Sequence, residues 1–213
     1  MDTDYLPHTV YGKSKMIAEQ ATRRAKLKCA WTIVRPANVW GPWHMRYPDE
    51  LLKIIAKGIY VHPGKVPIIR TYGYVKNVVH QIAAILQAQE AKTNGKTYYL
   101  GDLPIDSYLW LDALSQTIRG KKIKRVPSFL FLFPALIGDL LLETGIKFPL
   151  NSVRYHNMIE DYYAPTNITV REFGLSHPNL KNNAAETVQW LKSDFSKKSK
   201  FWKSWFLKKK HSI

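Results

Sequence analysis

Residues 9–42 read TVYGKSKMIAEQATRRAKLKCAWTIVRPANVWGP. The first half predicts a helix from Thr9 to Leu27, because Thr9 is a good N-cap and the alanines and long side chains that follow favour helix. One face of this helix carries Val10, Ile17, Ala18, Ala21 and Ala25. The second half predicts a β-strand from Trp31 to Arg35 that stops at Pro36, since proline cannot donate to a strand ladder.

Further along the chain, helices and strands continue to alternate. The pattern predicts a short helix in Pro48–Gly58, a strand at Val66–Ile69, a helix at Asn77–Glu90, a strand at Thr97–Leu100 and a helix at Ser107–Ile118. Strands that alternate with helices of this length imply crossover connections, and therefore an α/β protein with a largely parallel sheet. Beyond Val126 the pattern changes to helices and irregular chain, ending in a helix at Asn182–Lys192.

The composition is that of a globular protein: 213 residues, 46% hydrophobic and 13% aromatic, are enough for a core. Cys29 is the single cysteine, so no intramolecular disulfide can form and a cytoplasmic location is expected. The seven histidines are scattered without the spacing of metal ligands, and we predict no metal. The N-terminal residues do not have the pattern of a secretory signal.

One segment, Phe129–Leu142, is strongly apolar (FLFLFPALIGDLLL). It is interrupted by Pro134, Gly138 and Asp139 and falls short of the ~20 residues that a transmembrane helix needs. We expect a buried core helix. An alternative is that this helix covers a lipid substrate.

Tyr11 and Lys15 are four residues apart within the first predicted helix and therefore share a face. A phenol is a poor acid or base at neutral pH, but an ammonium group one turn away favours the phenolate and makes the pair usable for proton transfer. The spacing alone is weak evidence, because Tyr72 and Lys76 show it as well.

The surrounding sequence distinguishes Tyr11 and Lys15 from Tyr72 and Lys76. YGKSKMIAEQ is followed by TIVRPANVWGPWH and then by RTYGYVKNVV, three motifs in an order and at a spacing that resemble the extended short-chain dehydrogenase/reductase superfamily, in its NAD-dependent epimerase/dehydratase branch. The resemblance extends more weakly to Lys192. It implies the C-terminal portion of a Rossmann-like parallel sheet in residues 1–102, a small, mostly helical substrate-side lobe in 103–194, and a separate tail in 195–213.

The resemblance also implies roles for individual residues. Tyr11 would be the proton donor and acceptor at the carbon that is oxidised or reduced, and Lys15 would bind the nicotinamide ribose of NAD or NADP and tune Tyr11. Pro36 and Val39 would lie against the nicotinamide end of the cofactor.

On the substrate side, the resemblance implies two further contacts. Asn38 would face the phosphate or sugar of a nucleotide sugar, and Arg70 would pair with its diphosphate, which a guanidinium grips in bidentate fashion. Two alternatives stay open: Asn38 ties only its own loop, and Arg70 is a solvated surface charge.

The chain also departs from the family pattern. Asn77 stands where the family has an aspartate, and we expect it to keep a helix-capping role. Trp40 replaces a tyrosine. None of the 11 glycines forms the GxGxxG or GxxGxxG turn that holds a cofactor pyrophosphate at a helix N-terminus. We therefore expect a truncated family member that contacts the redox end of the cofactor and leaves its phosphates unheld.

The tail, residues 195–213, has seven lysines and no acidic residue. Its aromatic residues share one side of a predicted helix: Phe201, Trp202, Trp205 and Phe206. Such a helix suits an anionic membrane surface, with the rings at headgroup level. The alternatives are a disordered tail and a helix that docks on a missing domain. Nucleic-acid binding is not expected, since no RNA- or DNA-binding module accompanies the tail.

Three functional hypotheses follow. The first is an NAD(P)-dependent epimerase/dehydratase that acts on a nucleotide sugar by Tyr11-assisted hydride transfer. The second is an inactive remnant or binding module that associates with a membrane or with another chain, a second copy in a homodimer included. The third is a sterol-type 3-beta-hydroxy dehydrogenase with the apolar helix over its substrate.

Overall fold

A computed structural model of the chain describes residues 5–7, 9–146, 148 and 150–210. The helices are α1 (Val10–Arg24), α2 (Lys53–Lys57), α3 (Val75–Gln87), α4 (Glu90–Thr93), α5 (Ser107–Arg119), α6 (Leu132–Glu143), α7 (Ser152–Ile159), α8 (Asn167–Phe173), α9 (Leu180–Trp190), α10 (Ser196–Lys198) and α11 (Lys200–Lys210). A 3₁₀ turn (Ser128–Phe131) precedes α6, and π-helical turns (Pro48–Leu52 and Leu191–Phe195) precede α2 and α10.

The strands are short: β1 (Ile33–Pro36), β2 (Val39–Trp40), β3 (Val61–Pro63), β4 (Ile69–Arg70), β5 (Gly73–Tyr74), β6 (Thr97–Leu100), β7 (Ile105–Asp106) and β8 (Lys124–Val126). β1 pairs with β6, β2 with β5 and β3 with β8 in parallel, whereas β4 and β7 are antiparallel. The prediction of an α/β protein with mainly parallel pairing is confirmed. Pro36 is the last residue of β1 and lies opposite Leu100.

Two predicted elements are displaced. The strand expected at Val66–Ile69 forms at Ile69–Arg70, where β4 pairs with β7. The helix expected from Asn77 begins at Val75, and Tyr74 is its N-cap residue without a side-chain cap. The capping role predicted for Asn77 is therefore wrong: this residue lies inside α3 and is fully buried.

The main core is rich in aromatic residues and lies between α5, α9 and the loop after β2. Trp40 packs against Tyr74 and Trp110, with ring centroids 5.2 and 5.6 Å apart, and Tyr72 stacks on Trp110 at 4.1 Å. A smaller cluster joins Val78 and Ile85 of α3 to Tyr98 and Leu100 of β6.

Helix α1 begins as the sequence predicts, because Thr9 Oγ1 accepts a 3.0 Å hydrogen bond from the backbone N–H of Gly12. None of its residues is buried by the rest of the described chain, and Ile17, on the apolar face, is 60% exposed. Polar contacts attach α1 to strands β1 and β6 instead. Glu19 accepts from Arg35 of β1 at 2.8 Å, and Arg23 donates to Thr97 of β6 at 2.6 Å.

The aromatic residues of the tail do not face outward. Trp202 is fully buried in the main core, and its indole N–H donates to the backbone oxygen of Pro48 at 3.2 Å. Phe201 lies beneath the ammonium groups of Lys53 and Lys57, 5.0 and 5.8 Å from its ring centroid. The expectation that these rings sit at lipid headgroups is wrong for Trp202, because the helix uses this ring to pack on its own core.

The apolar segment before residue 143 also differs from expectation. Most large side chains of α6 are exposed, while its small residues Ala135 and Gly138 are buried. The prediction of a buried core helix is therefore wrong. Within the described residues, no helix combines the length and apolarity that crossing a bilayer requires.

Candidate active site

The predicted proton-transfer pair is adjacent in space. Lys15 Nζ lies 5.3 Å from the centroid of the Tyr11 ring, one helical turn away on the same face of α1. Tyr11 is 72% exposed. Tyr72 and Lys76, which have the same spacing, have different partners: Tyr72 is buried against Trp110, and Lys76 binds Glu186.

One cleft lies at the carboxyl end of β1, the edge where open α/β sheets bind ligands. This Pro36 cleft has a volume of about 360 Å³. The turn Pro36–Asn38 lines it, together with an aromatic wall that consists of Tyr99, Tyr162 and Tyr163. Arg35 lies at one side, with its guanidinium 5.1 Å from the Tyr99 ring centroid.

The second cleft, the Arg70 cleft, has a volume of about 280 Å³. Arg70 lines it together with Asn38, Tyr60, His62 and Met158. Arg70 Nη2 donates hydrogen bonds to two backbone oxygens at the C-terminal end of α7. One belongs to Asn157, and the other, at 3.1 Å, belongs to Glu160. The guanidinium is thus held at the cleft by the end of a helix, and it is not a simple solvated charge.

Asn38 is common to both clefts. Its amide nitrogen donates a 3.0 Å hydrogen bond to the backbone oxygen of Thr71, so the side chain joins the loop after β1 to the segment after β4. Of the predicted residues, the structure brings Pro36, Asn38 and Arg70 together. Val39 packs instead against the smaller core cluster, and Tyr11 and Lys15 are not among the residues that line either cleft.

Sequence reasoning missed His62 and its neighbours. His62 is buried in the Arg70 cleft, and its Nε2 has no hydrogen-bond partner among the described residues. Burial lowers the pKa of His62, so the ring is neutral at physiological pH and carries one donor and one acceptor nitrogen. No motif points to it, because a lone histidine in a VHP strand is indistinguishable from a core residue.

The phenols around Arg70 remain protonated. Burial raises the pKa of both Tyr60 and Tyr72, and the nearby positive charge of Arg70 opposes this only in part. The Arg70 cleft therefore presents one cation, a neutral imidazole and uncharged phenols. This set suits an anionic ligand that also carries hydroxyl groups.

The parallel strand pairs and the cleft at the carboxyl end of β1 are features of a Rossmann-like α/β fold. Solved structures share this fold. A dTDP-glucose 4,6-dehydratase from Bacillus anthracis in complex with NAD superposes with a TM-score of 0.57 at 16% identity, over 91% of this chain and 55% of that one. A UDP-glucuronic acid 4-epimerase from Bacillus cereus, in complex with UDP-glucuronic acid and NAD, gives 0.54 at 17% identity, over 88% and 54%.

The family model described as NAD dependent epimerase/dehydratase matches residues 1–101. A relative from Escherichia coli O157:H7, N-acetyl-alpha-D-glucosaminyl-diphospho-ditrans,octacis-undecaprenol 4-epimerase, is 30% identical over 158 residues, which are 70% of this chain and 46% of that protein. Residues 1–101 of the chain thus match the NAD-dependent epimerase/dehydratase family. It spans about half the length of these relatives.

The residues fit one end of a dinucleotide cofactor. The Pro36 cleft is at the lower end of the size range of small-molecule sites and has an aromatic wall suited to a flat ring. A pyrophosphate needs backbone N–H groups at a glycine-rich helix start, and none of the glycines in the sequence forms that turn.

Proposed function

We propose that this chain carries the acid–base helix and the substrate cleft of an NAD(P)-dependent epimerase or dehydratase that acts on a glycosyl diphosphate. The observation that carries this proposal is the position of Asn38, which borders both clefts. Through this residue the Pro36 cleft, which we assign to a nicotinamide ring, borders the Arg70 cleft, which we assign to a diphosphate. The family match and the relatives supply the reaction class.

In this proposal, Tyr11 holds and moves the proton of the sugar hydroxyl at the carbon that changes. Lys15 favours the phenolate form of Tyr11 from one turn away and binds the ribose. A bound NAD or NADP supplies the acceptor and donor of the hydride. Pro36 and the tyrosine wall exclude water from the ring face, and Val39 anchors the same loop on the smaller core cluster.

The diphosphate is assigned to Arg70. Its Nη2 is held by two carbonyl oxygens at the end of α7, and the other guanidinium N–H groups can pair with phosphate oxygens. The His62 imidazole and the Asn38 amide can serve sugar hydroxyls. The same glycosyl diphosphate occurs in nucleotide sugars, as in the B. cereus epimerase, and in lipid-linked sugars, as in the E. coli relative. The proposal covers this shared chemistry.

The proposal retains three segments: residues 1–102 for the cofactor side, 103–194 for the substrate side and 195–213 as a tail. A homodimer remains compatible with it. If the following test fails, the chain is better described as an inactive remnant.

Calorimetric titration with a UDP-sugar tests the substrate cleft. We expect saturable binding to the chain and a loss of affinity of about tenfold or more in Arg70→Gln, because a charge-assisted bidentate contact is removed. Arg46→Gln is the matched control, since Arg46 is an exposed arginine that pairs with Glu50 on the surface. No saturable binding, or equal losses in the two variants, would contradict the proposal.

A further inference from the structure

Helix α6 has the reverse of the usual amphipathic arrangement. Its apolar face points away from the protein and carries Leu132, Phe133, Leu136, Ile137 and Leu140, all exposed. Phe133 and Leu140 are 71% and 64% exposed. At 3.6 residues per turn these five side chains span an arc of about 140°. We call this the α6 apolar face; Phe129, exposed on the preceding turn, continues it.

The inner side of α6 is fixed by close packing. Gly138 lies so near the backbone oxygen of Leu150 that a Cβ atom there would stand 1.7 Å from it. Asp139 turns inward as well and accepts from the backbone N–H of Ser152 at 3.1 Å and from its hydroxyl. The outward direction of the apolar side chains is therefore built into the α6–α7 hairpin.

The chain that leads into the hairpin is basic. Lys121, Lys122 and Lys124 are exposed in the segment just before the hairpin. Lys65 is exposed next to Gly64, whose N–H bonds to Val126 at 2.6 Å. From Ser128 to Asp161 the sequence has four acids: Asp139, which is engaged with Ser152, Glu143 at the end of α6, Glu160, which pairs with His156, and Asp161, which accepts from the Ile69 N–H.

The hairpin is continuous with the Arg70 cleft. Helix α7 packs on α6, and its last turn supplies the Asn157 oxygen that holds Arg70 and the Met158 side chain that lines the cleft. α6 has 12 residues, a length of about 18 Å, so it can lie along a surface but cannot span a bilayer.

We propose that the α6 apolar face docks on an anionic lipid bilayer, with the helix in the interfacial plane and the lysines at the headgroups. A broad apolar stripe beside basic residues is the pattern of an interfacial helix. Docking brings the Arg70 cleft to the membrane surface. Of the two carriers of a glycosyl diphosphate, this placement favours the lipid carrier, and that further step rests on the function proposed above.

A second copy of the chain suits this face less well. Two hairpins packed face to face would bring their lysines together, and like charges across an interface cost free energy. An anionic headgroup layer pairs the same lysines instead. The charge around the apolar stripe therefore points to lipid as the occupant.

Liposome flotation with the purified chain tests docking without any cofactor or substrate. We expect the chain to float with phosphatidylcholine vesicles that contain phosphatidylglycerol, less with phosphatidylcholine alone, and less at high salt. The triple variant Phe133→Gln, Leu136→Gln, Leu140→Gln should lower the partition coefficient by about tenfold or more. These side chains are exposed, so the variant should keep the circular dichroism and melting temperature of the parent.

The matched control is Val79→Gln with Leu86→Gln, which removes exposed apolar side chains of α3 and should float like the parent. Failure of the parent to float, or equal flotation of the triple variant, would overturn the proposal. Light scattering tests the alternative occupant. If the parent forms a dimer without lipid, the triple variant does not, and the parent fails to float, then a second copy covers the α6 apolar face and the proposal is overturned. Because no NAD or sugar is present, failure here is distinct from failure of the function proposed above.

Discussion

The side-chain amide of Asn77 donates a 2.6 Å hydrogen bond to the carboxylate of Asp102. The same nitrogen donates to the backbone oxygen of His177 at 2.9 Å, and the amide oxygen accepts from the His177 N–H at 2.7 Å. Asn77 therefore joins α3, the loop after β6 and the segment before α9. Burial raises the pKa of Asp102, while hydrogen bonds from the Tyr74 N–H and from Asn77 oppose the shift.

Asn77→Asp should destabilise the fold, although it restores the residue typical of the family. The change removes a donor and sets two carboxylates against each other in a buried site, at a cost of about 1–3 kcal/mol. Since both folded-state pKa values would then lie above their unfolded values, the loss should be largest near neutral pH and should shrink below about pH 5. Urea unfolding at both pH values measures it. The control Asn182→Asp, at an exposed position of α9, should leave the stability nearly unchanged. If the stability loss in Asn77→Asp were independent of pH, carboxylate repulsion would not be its cause.

Glu19→Gln should loosen α1 without unfolding the core. Burial pushes the pKa of Glu19 up, but hydrogen bonds from Arg35, Arg23 and Tyr5 outweigh it and hold the pKa below its ordinary value of 4.5. Because no residue of α1 is buried, these contacts carry its attachment. Amide exchange in α1 should rise by about tenfold or more while α5 and α9 stay protected.

The contacts of Glu19 also predict how the attachment of α1 depends on pH. The lowered pKa means that the stabilisation is complete above about pH 4.5 and is lost as the pH falls through the folded-state value. Exchange in α1 should therefore accelerate in acid in the parent and less so in Glu19→Gln. Glu50→Gln, which breaks the exposed pair with Arg46, is the control and should accelerate in acid like the parent; acceleration of that size in Glu19→Gln would contradict the assignment.

Trp202→Ala should cost about 3–5 kcal/mol, because a large, fully buried ring leaves a cavity in the main core. Leu207→Ala on the exposed side of α11 should change the stability by less than about 0.5 kcal/mol. Chemical denaturation compares the two. A neutral Trp202→Ala would show that the tail does not belong to the folded unit in solution.

The periodic segments could be predicted from the sequence. α1, α5, β1 and β6 formed within a few residues of their predicted bounds, because capping residues and apolar spacing are local signals. The Tyr11–Lys15 contact was equally predictable, since a single helical turn determines it.

Long-range packing could not be predicted. The aromatic face of α11 and the apolar stripe of α6 look alike in sequence, yet Trp202 is buried and Phe133 is exposed. The difference depends on which surface each helix meets: Pro48 and the main core for α11, and the tight Gly138–Leu150 contact for α6. His62 entered the cleft through the pairing of β3 with β8, which no local motif encodes.

The proposed function requires that α1 contacts the nicotinamide ribose and that the chain itself does not hold the rest of the cofactor. NMR titrations with nicotinamide mononucleotide and with NAD measure both requirements. We expect affinities within about threefold of each other, both weakened in Lys15→Gln and unchanged in Lys13→Gln. NAD affinity in the micromolar range, about a hundredfold above that of the mononucleotide, or equal effects of the two lysine substitutions, would contradict it.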